Sequence, residues 1–164
     1  MVVVAVELRQ NYCKACFECF IGNATVRPMV NQLEFHVGMG AGAQDYATNL
    51  LGYMRDNQIV PMAYSPLGPT FNTTEKNELI EGNLTNSIGK THSKSGAQVA
   101  LRWLIQHGVP VATRSSNPKY LAEDIDLFGF NLSKVDMAAL DNAKEPLAPT
   151  GGGKDGGPCL FCHD

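Results

Sequence analysis

Two hydrophobic periods alternate along the chain. Short β-branched or apolar runs at residues 2–7, 29–34, 59–64 and 109–112 read as strands. Apolar positions at helical spacing lie between and after them. Ala43, Tyr46, Ala47, Leu50, Leu51 and Met54 mark one amphipathic helix. Leu79, Ile80, Leu84 and Ile88 mark a broken one. The clearest pattern is a third helix, with Ala97, Leu101, Leu104 and Ile105 on its apolar stripe. Ser95 and Gln98 form a capping box at its start, and Gly108 stops it. Asn117-Pro118 opens the next helix. Ser133 and Asp136 open the last, with Met137 and Leu140 facing inward. The alternation predicts an α/β fold with parallel strands.

The junction after the fourth strand has candidate chemistry. Arg114, Ser115, Ser116 and Lys119 surround the start of a helix. A guanidinium, an ammonium and hydroxyls at such an end suit a phosphate. A capped surface helix with ordinary cations is the competing reading.

The segments PMVNQLEFH (28–36), AYSPLG (63–68), QVALRWLIQHGVPV (98–111) and RSSNPKYLAEDIDLF (114–128) occur in an order and spacing that resembles the aldo-keto reductase family. The resemblance spans roughly residues 6–140 and matches the C-terminal half of that family, strands five to eight. It implies half of a TIM-type (β/α) barrel: four parallel strands with helices, open on one face. It also implies NADP(H) as cofactor. Asn11 and Gln32 would contact the nicotinamide carboxamide and Tyr64 would stack on its ring, beside Ser65 and Leu67. Arg114, Ser115 and Lys119 would take the 2′-phosphate, and Glu123 and Asp124 the adenine. Gln10 stands where the family has Ser, and Tyr120 where it has Arg, so weak or absent binding is expected. The family's catalytic Asp, Tyr, Lys and His lie on the half with no counterpart here, so no catalytic residue is assigned. His36 and Tyr64 match positions outside that tetrad.

With 164 residues, 44% of them hydrophobic, and a net charge of −3, composition points to one ordinary domain and gives no reason to expect nucleic acid. No apolar run approaches the ~20 residues of a membrane helix. Residues 1–146 form the expected half-barrel, and 147–164 a Gly/Pro/Cys-rich tail. Cys13, Cys16 and Cys19 read either as a metal or iron–sulfur motif or as small hydrophobes on a short helix; the second is preferred, because a cluster needs a fourth ligand. Cys159-Leu160-Phe161-Cys162-His163 matches a haem-attachment string, with nothing else in the chain to support haem. No metal ligand is assigned. The thiols suit an intracellular, reducing compartment, cytoplasm or organelle interior.

Half a barrel exposes a sheet face and two strand edges, which parallel sheets normally bury. Other protein chains, in a homo-oligomer or a larger complex, are therefore expected to cover the open face and the tail. The expected role is a non-catalytic accessory subunit. The alternative is an NADPH-dependent carbonyl reductase completed by another chain, or a truncated version of one.

Overall fold

Four strands line up in chain order as one parallel sheet, β1-β2-β3-β4, in the computed structural model, which describes residues 8–39, 50–68 and 78–143. The elements are β1 Leu8–Gln10, α1 Lys14–Phe20, β2 Val30–Glu34, α2 Leu51–Asp56, β3 Val60–Tyr64, α3 Glu78–Glu81, α4 Asn83–His92, α5 Gly96–Gln106, β4 Val111–Ala112, α6 Pro118–Ile125 and α7 Lys134–Asp141. The expected strand at 2–7, the first part of the helix at 43–54, and the tail with Cys159, Cys162 and His163 lie outside the described residues.

Register aligns Gln10 with Gln32 and Gln32 with Met62, then Glu34 with Tyr64 and Tyr64 with Ala112. Strand pairing therefore continues through residues 8–10, further along the chain than the expected end at residue 7. β4 is shorter than expected. The Val109 N–H goes to the Leu104 carbonyl at the exit of α5, and Pro110 has no N–H to give. The Pro110 carbonyl still accepts from Ala63 N–H at 2.8 Å.

The helices cover one face of this sheet. Asn31, Leu33, Pro61 and Ala63 point to that side and are buried. Leu33 and Ala63 join Phe17, Phe35, Met54, Ile59, Val99, Trp103 and Leu104 in the core. Burying a side chain such as Leu33 contributes about 1.5–3 kcal/mol. The alternate residues Val30, Gln32, Glu34, Val60, Met62 and Tyr64 stay partly exposed, with Val60 43% exposed. The sheet is open, not closed into a barrel.

α5 is the central support. Its capping box forms as predicted: Gln98 N–H donates to Ser95 Oγ at 3.2 Å, and Ser95 N–H to Gln98 Oε1 at 3.0 Å. Its buried set is wider than the predicted stripe. Val99, Ala100, Trp103 and Leu104 are core, whereas Ala97 and Ile105 are half-buried. The helix is wedged between α4 and the segment running from α6 to α7, so more than one face is covered. A Cβ on Gly96 would lie 2.8 Å from Thr85 Oγ1, which shows how closely α4 and α5 approach.

Polar side chains of α5 fasten that later segment. Gln98 Nε2 donates to the Asp126 carbonyl at 3.0 Å. Arg102 donates to the Leu127 carbonyl and to Asn131 Oδ1, at 2.9 and 2.5 Å. Gln106 exchanges hydrogen bonds with the Leu132 backbone, and Trp103 Nε1 donates to Asp141 Oδ1 at 2.7 Å. His92 and His107 each meet a carboxylate. His92 Nε2 lies 3.1 Å from Asp136 Oδ2, and His107 Nε2 lies 2.9 Å from Asp141 Oδ1. Burial pushes the Asp136 carboxyl up, but hydrogen bonds from Ser133 and His92 outweigh it and hold the group below the usual carboxylate range.

Candidate functional site

Apart from Gln32, which is in the middle of β2, every position predicted to contact a cofactor lies at or beyond the C-terminal end of a strand, or on the helix that follows it. Asn11 follows β1, Gln32 is in β2, and Tyr64, Ser65 and Leu67 end and follow β3. Arg114 and Ser115 follow β4; Lys119, Glu123 and Asp124 lie on α6. Parallel sheets place ligand sites at this edge, where loops are free to vary and strand ends are held rigidly. Three strand spacings separate β1 from β4, about 14 Å in all. The edge therefore suits an extended ligand.

Backbone conformation marks the same places. Among the described residues, four non-glycine residues have positive φ. Gln58 and Ser93 leave helix ends, where left-handed residues are routine. Asn11 (φ 55°) and Ser65 (φ 47°) instead leave strand ends at the candidate edge. Such conformations cost energy and persist where surrounding contacts enforce them.

Asn31 enforces the first. It is fully buried, and its Nδ2 donates to the Tyr12 carbonyl at 2.9 Å while its Oδ1 accepts from Tyr12 N–H at 3.2 Å. Asn11 N–H donates to the Gln32 carbonyl at 2.8 Å. One buried amide thus clamps the turn that presents Asn11. Sequence reasoning gave Asn31 no part in the site; a polar residue on the buried phase of β2 was the available signal.

On the open face Gln32 Nε2 reaches Met62 Sδ at 3.7 Å. Glu34 sits two residues on, beside Tyr64 in register. Burial raises its carboxyl pKa above the ordinary glutamate range. Glu34 was also missed, although Gln32 and Glu34 at i, i+2 must share a strand face.

At the other end of the edge, Arg114 and Lys119 are exposed. Ser115 Oγ accepts from Asn117 N–H, and Asn117 Oδ1 from Lys119 N–H, both at 3.0 Å, so Asn117 caps α6 as predicted. Lys119 Nζ lies 3.8 Å from Glu123 Oε1. Glu123 and Asp124 are half-buried, not plain surface charges. Burial raises the Asp124 pKa, opposed by a hydrogen bond with Thr113, next to Arg114. The edge therefore has carboxamides at β1–β2, an aromatic ring at β3 and cations beyond β4.

Among the described residues no group of three or more His, Cys, Asp or Glu side chains is arranged to hold a metal ion. None of the described helices is long and apolar enough to cross a membrane.

Comparison with known proteins agrees with this architecture. The model of the aldo/keto reductase family matches residues 21–145. Glyoxal reductase of Bacillus subtilis is 34% identical over 134 residues, covering 80% of this chain and 44% of that protein. Aldo-keto reductase family 1 member D1 of Oryctolagus cuniculus is 34% identical over 121 residues, covering 70% of this chain and 35% of that protein. Among solved structures, an aldo-keto reductase enzyme from a Medee basin deep-sea metagenome library superposes with a TM-score of 0.69 at 30% identity, covering 82% of this chain and 46% of that one. A Bombyx mori aldo-keto reductase in complex with NADP gives a TM-score of 0.69 at 25% identity, covering 82% and 43%. The chain spans less than half the length of these relatives, and its open sheet corresponds to part of their barrel. It belongs to the aldo/keto reductase family.

Proposed function

We propose that this chain is an aldo-keto-reductase-derived subunit that performs no carbonyl reduction alone and acts as an accessory component inside a larger assembly. The observation that carries this reading is the uncovered sheet face, where Gln32, Glu34, Met62 and Tyr64 remain partly exposed. In a parallel sheet such a face calls for a cover. Large apolar side chains are exposed elsewhere too: Ile125, Phe128 and Val135 are 76%, 73% and 78% exposed along α6 and into α7.

Carbonyl reduction needs a proton donor within hydrogen-bond reach of the carbonyl oxygen, worth typically 10²–10⁴-fold. No residue of this chain matches the family's donor. The second reading, favoured by the ordered run of cofactor-type residues along the strand edge, is NADPH-dependent carbonyl reduction once another chain supplies the missing strands and tetrad. In that reading Arg114, Ser115 and Lys119 hold the 2′-phosphate, Glu123 and Asp124 lie at the adenine, and Tyr64, Ser65, Leu67, Gln32 and Asn11 lie toward the nicotinamide.

An NADPH titration of the isolated chain, followed by addition of a simple aldehyde, tests both readings. The expected result is weak or no binding and no NADPH oxidation. Any binding that occurs should fall about 10-fold or more in Arg114→Ala for NADPH and little for NADH, since a hydrogen bond to a charged group is worth about 1.5–3 kcal/mol. Aldehyde-dependent turnover by the chain alone would reject the accessory role.

A further inference from the structure

The strand-edge reading leaves the sulfur chemistry of this chain unused. Cys16 and Cys19 are disulfide-bonded, which departs from the thiols expected at those positions. Two methionines carry a further signal. Each has a side-chain amide aimed at its sulfur: Asn31 Nδ2 donates to Met54 Sδ at 3.6 Å, and Gln32 Nε2 to Met62 Sδ at 3.7 Å. Asn31 and Gln32 are neighbours on β2, so they point to opposite sides of the sheet. Met54 is 0% exposed and belongs to the core. Met62 is partly exposed on the open face, across from Gln32 in register and between Val60 and Tyr64 on the same strand phase. The two sulfurs share one kind of donor and differ in their access to solvent.

We propose that Met62 is an oxidation site at which the Gln32 amide receives the sulfoxide oxygen. The oxidant is a peroxide. A lone pair of Met62 Sδ attacks one peroxide oxygen, and the S–O bond forms as the O–O bond breaks. The hydroxide that leaves takes the proton from the transferred oxygen and departs as water. Sulfur loses two electrons and the peroxide gains them. A thioether sulfur is a weak acceptor, whereas a sulfoxide oxygen carries partial negative charge and accepts strongly. The Gln32 amide is already directed at the sulfur, so it favours the change and fixes where the oxygen goes. Oxidised methionine sulfur is chiral, and a donor on one side of it selects one epimer. Met54 receives the same kind of hydrogen bond, but its burial keeps peroxide out. Access sets which methionine reacts, and the donor sets the configuration. The result is a polar group at an apolar position of the open face, which one sulfoxide reductase can reverse.

Peptide mapping tests this. The chain is used at nanomolar concentration, so that self-association does not shield the open face. It is treated with hydrogen peroxide, quenched at intervals and digested with trypsin. Residues 56–76 form one tryptic peptide in which Met62 is the only methionine. Met54 falls in fragment 15–55, because Pro28 protects Arg27 from cleavage, and tandem mass spectrometry locates its oxidation there. Met62 should oxidise about 10-fold or more faster than Met54, whose sulfur is reached only when the core opens. Peptide 56–76 is then divided between methionine sulfoxide reductases A and B, each of which restores one epimer. One enzyme should reduce most of the Met62 sulfoxide and the other little. Gln32→Leu should keep Met54 slow, the sign of a folded core, and bring the two epimers to near-equal shares. Gln32→Glu, which keeps the side-chain length and loses the donor at neutral pH, should do the same. Oxidation of Met62 no faster than Met54 would overturn the proposal. So would equal epimers in the parent chain, or a bias that survives both substitutions.

Discussion

The two faces of the sheet are built from alternate residues of the same strands, yet they have opposite fates. On the helix-covered face, Asn31, Leu33 and Ala63 are all 0% exposed. Behind them α5 is locked by Gln98, Arg102, Trp103 and Gln106 to the chain from Asp126 to Asp141. On the other face Gln32, Glu34, Met62 and Tyr64 mix polar and apolar groups and stay half exposed. A strand has two sides at a period of two; this chain seals one side and leaves the other partly exposed. Stability should therefore be concentrated on one face and interaction on the other.

The sharpest break of this comparison is a pair of truncations. Trp103→Ala removes a core ring and its hydrogen bond to Asp141, and should lower folding stability by about 3–5 kcal/mol. Met62→Ala, on the open face, should cost less than about 1 kcal/mol, because its side chain is only partly buried. Urea unfolding of the two variants checks this. Equal losses would mean that the open face is as integral to the fold as the closed one.

A smaller effect should follow from the clamp on the turn after β1. Asn31→Ala removes two hydrogen bonds to the Tyr12 backbone, and should cost about 1–3 kcal/mol. Amide hydrogen exchange at Tyr12 should accelerate strongly in that variant while exchange in α5 keeps its rank order. Unchanged protection at Tyr12 would remove Asn31 from its positioning role.

The smallest effect is a difference in pH dependence. The Asp136 carboxyl is depressed in the folded chain, so its contribution is present above the ordinary carboxylate pKa and is lost as pH falls through the folded value. The Glu34 carboxyl is raised by burial, so folding is favoured by its protonated form, and stability falls as pH rises from the ordinary glutamate pKa through the folded one. Glu34→Gln should then gain on the parent as pH rises from 4 toward 7, and Asp136→Asn should lose on it. Parallel pH profiles for the two variants would contradict the assignment of these carboxylates to different environments.

Much of this was legible in the residues. The Ser95–Gln98 and Ser133–Asp136 boxes and the Asn117-Pro118 start depend on local spacing, and all three form. The alternation of β2 and β3 was readable for the same reason. The width of the buried face of α5 was not, because it depends on what packs from both sides. Nor were the ties from Arg102 and Gln98, which reach residues 25–29 positions away. The contacts of His92 and His107 were not legible either, because Asp136 and Asp141 lie 44 and 34 residues from them in sequence. The candidate edge was named by resemblance, while its clamp, Asn31, needed the fold.

The proposal that another protein chain covers the open sheet face is tested most directly by size-exclusion chromatography with light scattering on the isolated chain. The predicted result is a mass of two or more chains, or progressive aggregation, at micromolar concentration. A stable monomer of 17.7 kDa across that range would contradict it.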